Sequence, residues 1–257
     1  MQLSSNPNLP KRVSEKYNQQ PERPLNPPSL GDFLFRFPQT WGLGGLFETF
    51  QTPSKSRFTR RNPVLLVHGI TDTSHKLRKI ASHLRGYGWE VFDIDLTPNN
   101  GDSKLEVLAQ QVADLVERTF DRDRSIDLLG FSMGGLVTRY YLQRLGGIAR
   151  VQRYISISAP HHGTIAAQFS TKPACIQMRP NSDFIRDLNR DVDRLKQLNF
   201  TSIWTPFDLI ILPPSSSQLG IGTEFSIPAL AHPLMVFDSR ALNAISDALS
   251  QPVKSPI

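Results

Sequence analysis

Residues 125–140 read Ser-Ile-Asp-Leu-Leu-Gly-Phe-Ser-Met-Gly-Gly-Leu-Val-Thr-Arg-Tyr. Ile126, Leu128 and Leu129 form the short apolar run of a buried strand. Gly130 to Gly134 fits the pattern G-x-S-x-G, and Leu136, Val137, Tyr140, Tyr141 and Arg144 then fall at helical spacing. The order is strand, sharp turn, helix, with Ser132 at the bend. So tight a turn strains the serine backbone, and Gly130 and Gly134 stand where a Cβ would collide with the neighbouring strand and helix. The bend aims the serine Oγ outward, where a base and a substrate can both reach it. The helix N-terminus beneath it offers unpaired N–H groups and partial positive charge, which suit a developing oxyanion. The five-residue pattern alone is weak, since a glycine-rich turn with an incidental serine gives the same letters. The flanking strand and amphipathic helix turn it into a nucleophile elbow.

Outward from the elbow, strands alternate with helices. Val64-Leu65-Leu66-Val67 is a fully apolar strand followed by His68-Gly69-Ile70, and Ser74 is placed to cap a helix running to about Leu84. Residues 89–94 form the next strand. Ser103-x-x-Glu106 reads as a capping box opening a helix with Leu105, Leu108, Val112, Leu115 and Val116 on one face. Past the elbow come a strand at 151–158, a long loop at 159–181, a helix at 184–198, strands at 201–204 and 224–227, and a closing helix at 239–249. Connections of these lengths are βαβ units. The fold class is therefore α/β, a mostly parallel sheet with helices on both faces and a minimal lid.

The chain has 257 residues and a formal net charge of +6. Nine basic and four acidic groups lie in residues 1–61, so five of the six net charges belong there and the remainder is nearly neutral. That distribution speaks against nucleic acid as a partner. Residues 1–30 read as a disordered proline-rich tail. Residues 31–61 are aromatic and basic, with Phe33, Phe35, Phe37, Trp41 and Phe47 ahead of Lys55, Arg57, Arg60 and Arg61. Two readings stay open for this extension: peripheral contact with an anionic membrane, or packing over the domain's own apolar surface. Residues 62–257 are expected to form the catalytic domain. The single cysteine, Cys175, reads as a small buried hydrophobe. No secretory leader is visible, and no apolar run approaches the roughly 20 residues of a membrane span. The expectation is a cytoplasmic protein, with or without peripheral membrane contact. Nothing in the sequence points to a metal or other cofactor, and oligomeric state is not legible.

A serine hydroxyl needs a base, and the base needs a carboxylate to fix its tautomer. In this architecture the chain order is serine, acid, histidine. His68, His75 and His83 precede Ser132. His161 and His162 follow it, but no Asp or Glu lies between Met133 and Pro160. His232 remains as base. Between Ser132 and His232 the acids are Asp183, Asp187, Asp191, Asp193, Asp208 and Glu224. The first four alternate with arginines on one helix, as on a solvated face, and Glu224 opens a strand. Asp208 follows the 201–204 strand at the edge where parallel sheets gather their sites, and it is taken as the acid. The oxyanion hole needs two backbone N–H groups: Met133, after the nucleophile, and Ile70, in the loop after the first strand.

With Val-Leu-Leu-Val-His-Gly-Ile, Leu-Leu-Gly-Phe-Ser-Met-Gly-Gly-Leu-Val, Ser-Ala-Pro-His-His-Gly-Thr and Ser-Ile-Trp-Thr-Pro-Phe-Asp in view, residues 62–250 resemble α/β-hydrolases of the small lipase type, close to class-2 bacterial triacylglycerol lipases. Ser-Ile-Trp-Thr-Pro-Phe-Asp-Leu-Ile-Ile and Ala-Cys-Ile-Gln-Met-Arg-Pro also resemble lipase-like proteins of cyanobacteria. The resemblance implies carboxylic-ester hydrolysis without a cofactor, an acyl-lipid or other ester as substrate, and membrane glycerolipids as its source. It also implies Ile70 and Met133 as the oxyanion donors. An acyltransferase or thioesterase would use the same elbow, and a non-enzymatic binding protein could keep the fold.

Overall fold

The computed structural model describes residues 61–254. The tail at 1–30 and the extension at 31–61, Arg61 excepted, lie outside the described residues. Six strands, β1 (Val64–Val67), β2 (Val91–Ile94), β3 (Ile126–Phe131), β4 (Val151–Ile157), β5 (Asn199–Trp204) and β6 (Thr223–Ser226), form one sheet in the order β2-β1-β3-β4-β5-β6. Every neighbouring pair is parallel. The order reverses between β1 and β3, and a crevice opens beyond the strand ends at such a reversal. The loops after β1 and β3, which carry Ile70 and Ser132, flank that point.

Period-two alternation sorts each strand between two cores. Leu65, Val67, Leu128, Tyr154 and Phe200 pack beneath α2 (Leu105–Thr119), α3 (Met133–Arg144) and α5 (Asp183–Arg190). Val64, Leu66, Leu129, Ile155 and Ile203 pack beneath α1 (Arg78–Gly86) and α6 (Ser239–Ser250) on the other face. Full burial of β1 explains its unbroken apolar run, and in the equally buried β3 only Asp127 interrupts one. Cys175, on the short helix α4 (Pro173–Gln177), is buried as read.

Three local expectations give way to tertiary contacts. Ser74 does not cap a helix: it begins a 3-10 turn, Ser74–Leu77, and its N–H donates to Asp95 Oδ1 at 2.6 Å. The capping box at Ser103 does not form. Gln177 of α4 supplies the cap from outside, accepting from the Leu105 N–H at 2.7 Å and donating to Glu106 at 2.6 Å. The helix expected at 184–198 breaks at Asp191, where the backbone leaves helical geometry (φ −126°), and resumes as a 3-10 turn over Val192–Gln197. Arg144 of α3 accounts for the break, reaching Asp191 at 2.8 Å and Asp187 at 2.7 Å. These carboxylates, Asp191 first, hold the Arg144 guanidinium above its ordinary pKa. The arginine–carboxylate face is therefore half interface and half solvent.

Candidate active site

Ser132 is the residue between β3 and α3, at φ 55° and ψ −125°. Few non-glycine residues occupy this region, and they do so where surrounding contacts over-determine the bend. Here the contacts are clear. The Ser132 N–H donates to Ile157 O at 2.8 Å, fixing the turn to the end of β4. A Cβ on Gly130 would lie 2.7 Å from Gly135 Cα, and one on Gly134 would lie 2.5 Å from His68 O. Strand and helix approach as closely as the sequence implies, and only glycine fits. Ser132 is 6% exposed.

Asp208 and His232 come together. His232 Nδ1 lies 2.8 Å from Asp208 Oδ2, and both residues are buried. A carboxylate only accepts, so in the neutral imidazole the proton sits on Nδ1 and the Nε2 lone pair is free. Asp208 Oδ1 accepts from the Ile210 and Ile211 N–H groups at 2.9 and 2.8 Å, which locks the carboxylate in its own turn. The His232 ring packs on Phe131, the residue before Ser132, with centroids 5.0 Å apart. Among the described residues, Ser132 Oγ makes no hydrogen bond. The structure thus pairs acid with histidine and places that pair against the elbow, while the serine–imidazole link is open. Such links often tighten only around substrate.

The loop after β1 borders the same place. A Cβ on Gly69 would meet Ser132 Cβ at 3.0 Å. His68 is buried and spans two loops: Nε2 accepts from Leu96 N–H at 3.0 Å, which leaves Nδ1 to donate to Gly69 O at 2.8 Å. The Thr71 N–H bonds to Asn99 O at 2.7 Å. These ties position Ile70 between them. Neither the Ile70 nor the Met133 N–H has an acceptor among the described residues, as first-turn geometry implies for Met133.

Sequence reasoning missed a second buried polar cluster beside the site. Arg139 of α3 is completely buried and donates to Gln143 Oε1 (2.9 Å), Leu188 O (2.7 Å) and Asn189 Oδ1 (3.0 Å). Burial lowers its pKa to about 10. With Asn189 it holds the carbonyl of His161. His161 is itself buried, with Nε2 2.8 Å from Ser156 Oγ and Nδ1 unpartnered. Burial, and then the Arg139 charge, drive its pKa well below the usual histidine value. The i,i+4 pair Arg139–Gln143, set among the apolar positions of α3, was the signal available. At the opposite end of β3, the buried Asp127 meets Arg153 at 3.1 Å and Asn62 at 3.0 Å. Among the described residues, no group of three or more His, Cys, Asp or Glu could hold a metal ion.

Comparison with known proteins bears on the family and the fold. A family model of palmitoyl protein thioesterases matches residues 63–207, more than half the chain. The match covers Ile70, Ser132 and Met133 and ends just before Asp208. Palmitoyl-protein thioesterase 3 of Dictyostelium discoideum is 27% identical over 120 residues, which is 43% of this chain and 40% of that protein. The aligned stretch therefore spans less than half of that relative. Among solved structures, Bacillus licheniformis lipase BlEst2 in its mature form superposes with a TM-score of 0.62 at 15% identity, covering 78% of this chain and 96% of its own. Aspergillus fumigatus lipase B gives a TM-score of 0.64 at 21% identity, covering 75% and 53% respectively. Identities this low report fold alone, and the fold is that of the α/β-hydrolases.

Proposed function

The chain belongs to the palmitoyl protein thioesterase family, and on that premise we propose that it hydrolyses acyl thioesters or esters through an acyl-enzyme on Ser132. The observation that carries the reading is the buried Asp208–His232 pair at 2.8 Å, packed on Phe131 beside the strained serine. In this scheme His232 Nε2 takes the Ser132 proton as Oγ attacks the acyl carbonyl. Asp208 holds the imidazole tautomer and stabilises the imidazolium that forms. The Ile70 and Met133 N–H groups receive the oxyanion, each worth roughly 10²–10³ in rate. His232 then protonates the departing thiol or alcohol, and water, deprotonated by His232, releases the acid and restores Ser132.

The family favours a thiol leaving group on a long acyl chain. Hydrolysis of glycerolipid oxyesters is the second reading, favoured by the exposed apolar side chains on the loops that carry Asp208 and His232. A substrate panel separates them: palmitoyl-CoA and an S-palmitoyl peptide against p-nitrophenyl palmitate and a triacylglycerol, with free acid and any acyl-transfer product quantified. Thioester turnover exceeding oxyester turnover, and lost in Ser132→Ala, supports the first reading. Preferred glycerolipid turnover replaces it with the second. Turnover equal in wild type and Ser132→Ala sinks both. No helix among the described residues is long and apolar enough to cross a membrane.

A further inference from the structure

Twelve large apolar side chains are exposed among the described residues, and eight of them sit on three loops beyond the C-terminal edge of the sheet. The loops are stitched edge to edge. Ile165 N–H bonds to Leu212 O at 2.9 Å, and Thr164 Oγ1 donates to Ile210 O at 2.7 Å. Thr205 Oγ1 donates to Ala229 O at 2.6 Å, and Asp208 meets His232 at 2.8 Å. The loops 164–169, 207–212 and 228–237 are thus neighbours along this edge. Its most prominent side chains are Phe169 (91% exposed), Leu209 (78%) and Leu230 (77%). Scattered exposed apolar residues need no explanation, but this concentration on one face does. A hollow of about 350 Å³ extends it between Leu230, Leu234 and Phe237.

Cations adjoin this face. Residues 73–89 contain Lys76, Arg78, Lys79 and Arg85 and no Asp or Glu. Lys76 Nζ lies 5.4 Å from the Phe237 ring, which joins the 3-10 turn ahead of α1 to the apolar rim. Lys76, Arg78 and Lys79 have no carboxylate partner among the described residues. Asp208, the acid within these loops, is buried against His232, and Asp238 just beyond them is paired with Arg240. Cations without carboxylate partners of their own thus lie next to exposed apolar area. An anionic bilayer matches both, because its headgroups attract the cations and its acyl boundary accepts the apolar side chains.

We propose that this face seats on the surface of an anionic lipid bilayer, with Phe169, Leu209 and Leu230 entering the headgroup boundary and Lys76, Arg78 and Lys79 lying against the headgroups. The loops of Asp208 and His232 are then held at the membrane. The inference rests on exposure and charge, and stands whether or not the hydrolase reading does.

The test is vesicle flotation of the full chain carrying Ser132→Ala, which separates binding from turnover. Vesicles are phosphatidylcholine with or without phosphatidylglycerol. Binding is expected on the anionic vesicles and weaker by about tenfold without phosphatidylglycerol. Phe169→Ser/Leu209→Ser/Leu230→Ser should lose roughly tenfold or more on anionic vesicles. Lys76→Glu/Arg78→Glu/Lys79→Glu should lose at least about tenfold on them. Circular dichroism melting of both triple variants should match the parent, showing that they fold. No flotation on either vesicle overturns the proposal. So does equal flotation of parent and both triple variants, which would assign binding to other residues, the segment 1–60 included.

Discussion

His232 and His161 each follow a parallel strand, each is buried, and each packs near an aromatic ring, yet they sit in opposite electrostatic settings. His232 has a carboxylate on Nδ1, a free Nε2, and the ring of Phe131, the residue before Ser132, packed against it. His161 has a serine hydroxyl on Nε2, an unpartnered Nδ1, and the buried cation Arg139 close by. The first setting stabilises an imidazolium, as proton transfer from a nucleophile requires. The second forbids one: burial and the guanidinium keep His161 neutral. Burial therefore does not mark the base. The distinguishing feature is which charge the ring faces.

The comparison breaks most sharply in catalysis. Ser132→Ala should lower kcat on a palmitoyl thioester by ~10⁴ or more, and His232→Gln by a comparable factor. Asp208→Asn should cost about 10²–10⁴, because the imidazole loses its enforced tautomer. His161→Gln, measured in the same assay, should stay within about tenfold of wild type, since that ring touches no reacting atom in the proposed scheme. A loss for His161→Gln matching that for His232→Gln would erase the distinction.

Stability tests the other half. The folded state holds His161 neutral, whereas the unfolded chain protonates it near the ordinary histidine pKa of 6.5. A depressed folded-state pKa adds stability above that value and withdraws it as pH falls below, by up to about 1.4 kcal/mol per pH unit for one proton. Urea melts between neutral and mildly acidic pH should therefore show a shallower acid loss in His161→Gln than in wild type. An unchanged slope would place the acid sensitivity elsewhere. The smallest effect is expected at the cap from outside the helix. Gln177→Ala should cost about 0.5–2 kcal/mol in the same melts, leaving the Leu105 N–H uncapped.

Much of the architecture was legible because it depends on local pattern. Runs such as Val64–Val67, the glycines about Ser132 and helix-length connections allow little besides a parallel α/β sheet. The pairing of Asp208 with His232 followed from chain order and strand-end position, and both reflect topology. What escaped the sequence depends on partners distant along the chain. Gln177 takes the place of the Ser103 capping box, reaching the Leu105 N–H from 72 residues away. Arg144 claims Asp187 and Asp191 and breaks a helix that periodicity alone would continue. Arg139 looks like any surface arginine until α5 covers it. The apolar rim is equally hidden, since Phe169, Leu209 and Leu230 share a surface only after three loops converge.

The most direct test is intact-mass and peptide mass spectrometry of the full chain after reaction with a fluorophosphonate, which captures an activated serine. The account predicts one adduct, on Ser132. It predicts that the labelling rate falls by roughly 10² or more in His232→Gln and is unchanged in His161→Gln. An adduct on another residue, or equal slowing in the two histidine variants, would contradict it.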